Sequence, residues 1–281
     1  MEYRNNFEIT WLPLWKCNFK CPYCNGWKDT NALEFQPLNT LIGIWDNLFE
    51  KIKSSEFKIE LIISGGEPTI YPNFFELLKY FITKVSKVHV CTNLSFNASE
   101  FLSLKIPIDK VSLHSTFHPA CISIDNFTNN LTLTKEYINN PVNFVANQDN
   151  LKNQKEFVKK IQDCGLAASP LFLKCFGEQP KKNTARLNLL NSEEEIKIIK
   201  EIRKEQNLQL SDYESSEKFP LGKKCLAGYH ALYIMPNGNI QKCSVDSTYL
   251  GNIFDSDLNM YTEPQICKQK ICPHQYRSII D

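Results

Sequence analysis

Three cysteines stand close together near the start of the chain, at Cys17, Cys21 and Cys24. Their spacing places three thiolates on one short loop. Most [4Fe-4S] clusters are held by four cysteines, so three thiolates fill three corners of a cubane and leave one iron open. The alternatives are a zinc knuckle or an ordinary redox cluster. A structural zinc site requires a fourth ligand, and none lies close in the sequence.

A second motif, Ser64-Gly65-Gly66-Glu67-Pro68, follows an apolar segment that ends at Ile63. Glycine lets the backbone approach a ligand closely, and a carboxylate accepts hydrogen bonds from an ammonium group. Alone, such a pair of glycines indicates only a connection between a strand and a helix. Its position one strand-helix unit after the cysteine loop makes a shared ligand site the better interpretation.

The two motifs together resemble those of the radical S-adenosylmethionine (SAM) superfamily. The resemblance implies that the amino and carboxylate groups of SAM chelate the open iron, and that an electron from the cluster breaks the sulfonium to give a 5'-deoxyadenosyl radical. It also implies that Gly65, Gly66 and Glu67 receive the amino group of SAM. Tyr23 stands where family members carry an aromatic residue beside the adenine.

Two further segments resemble SAM-contacting strand ends of the same family. Thr92 and Asn93 occupy the place of a Thr-Asn-Gly motif, with Leu94 in place of the glycine. Ser112 lies in Val-Ser-Leu-His, where relatives often carry Val-Ser-Leu-Asp, so His114 replaces the aspartate. Ordinary strand packing with satisfied hydroxyl groups explains Thr92 and Ser112 equally well, and both interpretations stay open.

A second group of cysteines lies near the end of the chain. Pro236-Asn237-Gly238 predicts a tight hairpin turn between Cys225 and Cys243. This spacing resembles the opening of SPASM and twitch domains, and it implies an auxiliary [4Fe-4S] cluster held by Cys225, Cys243, Cys267 and Cys272. The twitch type is the better match because the cysteines for a second auxiliary cluster are missing. Zinc is the alternative, since thiolates suit both metals.

Three candidate catalytic residues, His114, His118 and Cys121, follow the fourth predicted strand. A histidine can move a proton, and a thiol can return a hydrogen atom to a substrate radical, as in radical SAM epimerases. The alternative for Cys121 is a small buried hydrophobic residue. An auxiliary cluster that accepts the substrate radical's electron gives an oxidised product, whereas a thiol that returns hydrogen gives an epimer.

The elements that position these residues are short apolar strands alternating with amphipathic helices. Helices are predicted over about 38–52, 73–85 and 151–164, with Asn73 and Glu76 as a capping box and Gly165 as a C-terminal cap. Strands are predicted at 9–15, 59–63, 88–91, 111–113, 142–145 and 166–173. Parallel βαβ units with right-handed crossovers predict an α/β fold, a partial (β/α)6 TIM-like barrel whose site lies at the carboxyl ends of the strands.

Residues 1–175 are predicted to form this radical SAM core barrel. Residues 176–281 are predicted to form a bridging helix, which begins at a capping box of Ser192 and Glu195, and a small C-terminal twitch/SPASM-type iron-sulfur domain.

Composition narrows the partners. The formal net charge of +1 gives no basic excess for nucleic acid. The chain has neither a signal-peptide core nor an apolar run of about 18 residues, so we expect a cytoplasmic protein with no membrane partner. Eleven cysteines in such a compartment are more often metal ligands or catalytic groups than disulfides.

These features predict a radical SAM oxidoreductase or epimerase that abstracts hydrogen from an unactivated carbon. The expected partners are a small-molecule, sugar or peptide substrate and an electron donor such as flavodoxin or ferredoxin. Only sixteen residues precede Cys17, which favours a small molecule or sugar over a leader-bearing peptide. The alternatives are a peptide (RiPP) maturase that forms a crosslink or epimer, and a SAM-independent iron-sulfur or zinc binding protein.

Overall fold

The structure is a computed structural model that describes residues 6–24, 35–52, 57–146, 148–172, 193–207, 220–255, 257–269 and 279–280. Within these ranges, no helix is long and apolar enough to cross a membrane. The predicted boundary at 175/176, the capping residue Ser192 and the ligand candidate Cys272 lie outside the described residues.

Six consecutive strands pair in parallel, each with the next one along the chain. They are β1 (Asn6–Trp11), β2 (Lys58–Ile63), β3 (Lys87–Thr92), β4 (Val111–Phe117), β5 (Val142–Ala146) and β6 (Ala168–Phe172). The prediction of a first strand through residue 15 was wrong, because β1 ends at Trp11. Leu12 still donates its amide to the Ile234 carbonyl, but Pro13 has no N–H to continue the ladder.

Helices connect the strands and cover one face of the sheet. They are α1 (Leu38–Lys51), α2 (Phe74–Lys84), α3 (Ala98–Ser103), α4 (Ile124–Thr134), α5 (Gln154–Asp163) and α6 (Glu193–Glu205), with 3-10 turns at Pro68–Ile70, Lys135–Tyr137 and Gln148–Asn153. Helices α3 and α4 were not predicted from the sequence. The first is short, and the second is rich in asparagine and threonine, which have low helix propensity.

Of the three predicted caps, the one at Ser192 lies outside the described residues, and one of the other two is correct. Gly165 has a φ of 83° and donates its amide to the Gln162 carbonyl, as a left-handed C-terminal cap does. The capping box at Asn73 was wrong. Asn73 has a φ of 56° and makes no side-chain cap hydrogen bond, because its backbone is left-handed rather than in the extended conformation of an N-cap.

The core between sheet and helices is aromatic. Trp11 packs edge-on against Trp45 of α1 and Phe81 of α2, with ring centroids 5.3 and 5.7 Å away. Both partners are fully buried. Because strand side chains alternate, these contacts fix which face of β1 to β6 meets the helices and which face lines the barrel interior.

The C-terminal region shares the barrel's sheet. Strand β8 (Ala231–Ile234) pairs in parallel with β1, and β9 (Asn239–Gln241), β10 (Tyr249–Asn252) and β11 (Asp257–Leu258) extend the sheet antiparallel. The hairpin predicted around Gly238 is confirmed, with the Met235 amide 2.8 Å from the Asn239 carbonyl. A separate sheet places β7 (Lys224–Cys225) between β12 (Gln265–Ile266) and β13 (Ile279–Ile280). The hairpin between Cys225 and Cys243 is therefore joined through β8 to β1, the strand that leads into the first cysteine loop.

Candidate active site at the carboxyl ends of the strands

The glycine motif packs directly against the backbone that leads into the cysteine loop. The Gly66 amide donates to the Leu14 carbonyl (2.9 Å), and the Glu67 amide donates to the Lys16 carbonyl (3.1 Å). A Cβ atom on Gly66 would lie 2.0 Å from the Lys16 oxygen. The sequence predicted a close approach of these glycines to a ligand. In the structure, the close approach is to the backbone just before Cys17.

Cys17 lies in a setting suited to a thiolate ligand. Its Sγ accepts a hydrogen bond from the Phe19 amide (3.3 Å) and lies 3.8 Å from the amide nitrogen Nδ2 of Asn93. Hydrogen bonds to sulfur are among the means by which proteins tune iron-sulfur clusters. Burial raises the pKa of the Cys17 thiol, so the metal-free protein carries it protonated at neutral pH.

The other two loop cysteines gather with a thiol from the far side of the sequence. Cys21, Tyr23 and Val145 form one buried group, against which Cys24 and Cys121 pack. The sulfur atoms of Cys21 and Cys121 lie 3.5 Å apart. Thiols predominate in this set, and thiolates are the ligands of cubane iron-sulfur clusters, so the residues fit such a group. No three side chains among the described residues converge on a single metal ion.

Glu67 is almost completely buried and its carboxylate is fully engaged by the protein. Oε1 accepts from the Thr69 amide (3.2 Å), the Thr69 hydroxyl (2.7 Å) and the Thr92 hydroxyl (2.8 Å). Oε2 accepts from the Asn93 amide (2.8 Å). Burial raises the pKa of Glu67 despite these four donors. The carboxylate thus ties the glycine motif to the end of β3, and a role in binding the amino group of SAM stays a prediction.

We expect Glu67→Gln to destabilise the protein by about 2 kcal/mol, because the new amide NH2 cannot accept from all four buried donors. Urea unfolding measures the change. Glu76→Gln on the exposed surface of α2 is the matched control and should shift the free energy of unfolding by less than about 0.5 kcal/mol. Equal stability of the two variants would mean that the Glu67 network contributes nothing.

Leu94 replaces the glycine expected after Thr92 and Asn93, yet it adopts the backbone conformation that glycine favours. Its φ is 56° and its side chain is fully buried in the core. Asn130 of α4 donates through Nδ2 to the Leu94 carbonyl (2.8 Å) and the Phe96 carbonyl (3.2 Å). Burial of the leucine and these two hydrogen bonds offset the strain of the left-handed conformation.

The two strand hydroxyl groups differ in their surroundings. Thr92 donates to Glu67, so ordinary packing accounts for it. Ser112 is 1% exposed, and its Oγ has no hydrogen-bond partner among the described residues. A buried, unsatisfied hydroxyl is uncommon and suits a site that a ligand completes. Contact between Ser112 and SAM stays a prediction that this observation favours.

Tyr23 and His118 form a pair beside the cysteine loop. The Tyr23 hydroxyl lies 3.0 Å from Nδ1 of His118, and the two rings stack at 6.0 Å with an interplanar angle of 23°. Burial lowers the pKa of His118 to about 4, so the imidazole is neutral at pH 7. Burial raises the pKa of Tyr23. The pair is a neutral hydrogen bond that positions the tyrosine ring.

The lowered pKa of His118 predicts a loss of stability in mild acid. Between pH 6.5 and 4 the unfolded chain binds a proton at this histidine and the folded chain does not, so stability falls as the pH falls. We expect a contribution of about 2 kcal/mol between pH 7.5 and pH 5. His118→Asn should remove that slope when unfolding is followed at both pH values. An unchanged slope would show that His118 is not buried as a neutral group.

His114 belongs to a different polar chain, on the inner face of the sheet. Asn140 Nδ2 donates to His114 Nε2 (3.2 Å), so that nitrogen accepts, and His89 Nδ1 lies 3.1 Å from it. His89 Nε2 is 3.5 Å from Oε2 of Glu60. Of this polar chain, only His114 was predicted from the sequence as a site residue. Along their strands, Glu60 and His89 alternate with the apolar residues that face the helices, so both point to the inner face of the sheet. This alternation is the signal that could have identified them.

The second cysteine group is partly assembled in the structure. Cys225, Cys267 and Ala227 form one buried group, against which Cys243 packs. The Ala227 amide donates to the Cys225 sulfur (3.4 Å). The buried Lys242 pairs with Asp246 at 3.2 Å, next to Cys243 in the sequence. Three of the four predicted ligands therefore lie in one packed group, and ligation stays a prediction.

Comparison with known sequences accounts for the first motif. The model of the Radical SAM superfamily matches residues 15–113, a segment that runs from the cysteine loop through Ser112. The chain thus carries a radical SAM domain, as the resemblance predicted. That domain implies a [4Fe-4S] cluster and SAM as its cofactors.

Individual relatives extend the comparison. The chain is 26% identical to the antilisterial bacteriocin subtilosin biosynthesis protein AlbA of Bacillus subtilis (strain 168), over 95% of this chain and 61% of AlbA. It superposes on Streptococcus suis SuiB bound to the precursor peptide SuiA with a TM-score of 0.59 and 15% identity, over 90% of this chain and 63% of SuiB. It superposes on anSMEcpe with bound AdoMet and Cp18Cys peptide with a TM-score of 0.58 and 13% identity, over 89% and 77%. The two structures confirm the predicted fold class.

Proposed function

We propose that the protein is an enzyme that reductively cleaves SAM and abstracts a hydrogen atom from an unactivated carbon of its substrate. One observation carries the proposal. The loop of Cys17, Cys21 and Cys24 leaves the end of β1 and is fixed by backbone hydrogen bonds to the Gly66 turn at the end of β2. This is the face on which barrel enzymes of this kind place their chemistry.

One set of residues would hold the cluster and another would hold SAM. Cys17, Cys21 and Cys24 would hold a [4Fe-4S] cluster, which supplies the electron that breaks the sulfonium of SAM. The Gly65 to Glu67 turn would orient the methionine end of SAM, and Ser112 would give its unpaired hydroxyl to the same ligand.

Tyr23 would pack beside the adenine of SAM. Its ring is already fixed, because its hydroxyl is hydrogen-bonded to the neutral His118. Since His118 carries no charge at pH 7, this wall of the site is polar without being charged, which suits a neutral base.

A peptide is the substrate class that the comparisons favour. AlbA takes part in the biosynthesis of a bacteriocin, which is an antibacterial peptide, and it is similar over most of this chain. SuiB and anSMEcpe have solved structures with a precursor peptide and a Cp18Cys peptide. The expectation from the sequence was a small molecule or sugar. The similarity to AlbA moves the preference to a peptide, and the structure of SuiB with its precursor peptide SuiA points the same way.

The C-terminal cysteines would hold an auxiliary [4Fe-4S] cluster in a twitch/SPASM-type domain. Three of the proposed ligands belong to one packed group, and β8 pairs with β1. An auxiliary cluster beside the barrel suits an oxidation, because it can accept the electron of the substrate radical.

The experiment is anaerobic incubation of reconstituted protein with SAM and dithionite, with 5'-deoxyadenosine as the readout. Adding candidate precursor peptides in deuterated water separates the outcomes. An oxidised or crosslinked peptide without deuterium supports electron transfer to the auxiliary cluster, and deuterium at an inverted carbon supports epimerisation. Absence of 5'-deoxyadenosine from cluster-loaded protein would overturn the proposed activity.

A further inference from the structure

Cys121 lies beside the cysteine loop, in contact with one of the proposed cluster ligands. It sits in the turn between β4 and α4, which is fixed by hydrogen bonds from the Cys121 amide (2.9 Å) and the Ile122 amide (3.2 Å) to the His118 carbonyl. Its sulfur is 3.5 Å from that of Cys21, although 100 residues separate the two in the sequence. Cys24 packs against the same group.

A thiol that returns a hydrogen atom to a substrate radical would have to lie beside the substrate. Cys121 instead contacts a sulfur that would bind iron. The contact points to chemistry at the cluster.

We propose that Cys121 is the fourth thiolate ligand of the [4Fe-4S] cluster in the SAM-free protein, and that SAM displaces it. The inference rests on the proposed function. Cys121 loses its proton when it binds the open iron. It regains one when the amino and carboxylate groups of SAM take its place, and no electron moves in the exchange.

Two properties of the site support this exchange. Four thiolates are the usual ligand set of a [4Fe-4S] cluster, so Cys121 completes a coordination that the loop cysteines leave one short. Each thiolate would bind a different iron, so cluster binding would require the sulfurs of Cys21 and Cys121 to move further apart than 3.5 Å. Cys121 lies in a turn beyond the end of β4, where such a shift breaks no strand pairing.

The test compares wild type, Cys121→Ala and Cys164→Ala as reconstituted, dithionite-reduced proteins. Cys164 lies at the end of α5, where its sulfur contacts the Lys160 carbonyl, and it serves as the matched control. EPR and Mössbauer spectra are recorded without SAM and with saturating SAM. Only the signal of the SAM-binding cluster should change when SAM is added, which distinguishes it from the signal of an auxiliary cluster. Cys121→Ser keeps the size of the side chain and replaces the alanine variant if that variant does not fold.

Without SAM, the spectrum of Cys121→Ala should differ from those of wild type and Cys164→Ala. With SAM, all three should coincide, and SAM should bind the Cys121 variant several-fold more tightly because its competitor is gone. Coincident spectra without SAM would overturn the inference, and so would a difference that persists with SAM. Wild type that makes 5'-deoxyadenosine while the SAM-free spectra coincide would overturn this inference alone. Wild type that makes none would overturn the proposed function.

Discussion

Replacing Cys17, Cys21 and Cys24 together by alanine should reduce 5'-deoxyadenosine formation to the level of a protein-free control. Without these thiolates no cluster holds SAM or delivers the electron that breaks its sulfonium. The iron and sulfide content of the reconstituted variant should fall by the amount of one cluster, with the auxiliary share retained. Product is measured by chromatography after incubation with SAM and dithionite.

Cys164→Ala is the control for this loss, because Cys164 lies outside both cysteine groups. The three alanines stand in the loop after β1, so circular dichroism should show the sheet and helices intact. A triple variant that still makes 5'-deoxyadenosine would place the cleavage of SAM elsewhere in the protein.

Gly66→Ala should disrupt the site through the backbone. A Cβ atom there would lie 2.0 Å from the Lys16 oxygen and 2.4 Å from the Trp15 oxygen, and neither backbone atom can rotate away. The glycine turn and the cysteine loop must then separate. We expect a loss of about 3 kcal/mol in the free energy of unfolding, at the upper end of overpacking costs. Cluster content after reconstitution should also fall.

Gly43→Ala is the matched control for that substitution. Gly43 lies in α1 with nothing within 4 Å of its would-be Cβ atom. Because alanine has the higher helix propensity, this variant should gain about 0.5–1 kcal/mol. Two variants of equal stability would show that the Gly66 contact carries no constraint.

The strand positions were predictable because their signal is local. Runs such as 59–63 and 142–145 are short, apolar and rich in β-branched residues, and both became parallel strands within a residue of the predicted bounds. The cysteine loop and the glycine motif were equally predictable, since each is a contiguous segment of the sequence. The predicted end of β1 was too late in the sequence, because apolar residues continue past Trp11 into a segment that leaves the sheet.

The contacts that shape the site were not predictable from local pattern. The four donors to Glu67 come from the turn that follows it and from the end of β3, and the Cys21 contact with Cys121 joins residues 100 apart. The pairing of β8 with β1 is likewise non-local. At Asn73 the local pattern itself was misleading. The sequence matches a capping box, but the backbone of Asn73 is left-handed.

Titration of SAM into the dithionite-reduced protein, followed by EPR, tests most directly whether the cysteine loop holds a cluster that SAM ligates. SAM should change the g-values of the reduced [4Fe-4S] signal in wild type, and the triple variant of Cys17, Cys21 and Cys24 should lack the responsive signal. A spectrum that SAM leaves unchanged, in protein with a full complement of iron and sulfide, would contradict the account and indicate an iron-sulfur protein independent of SAM.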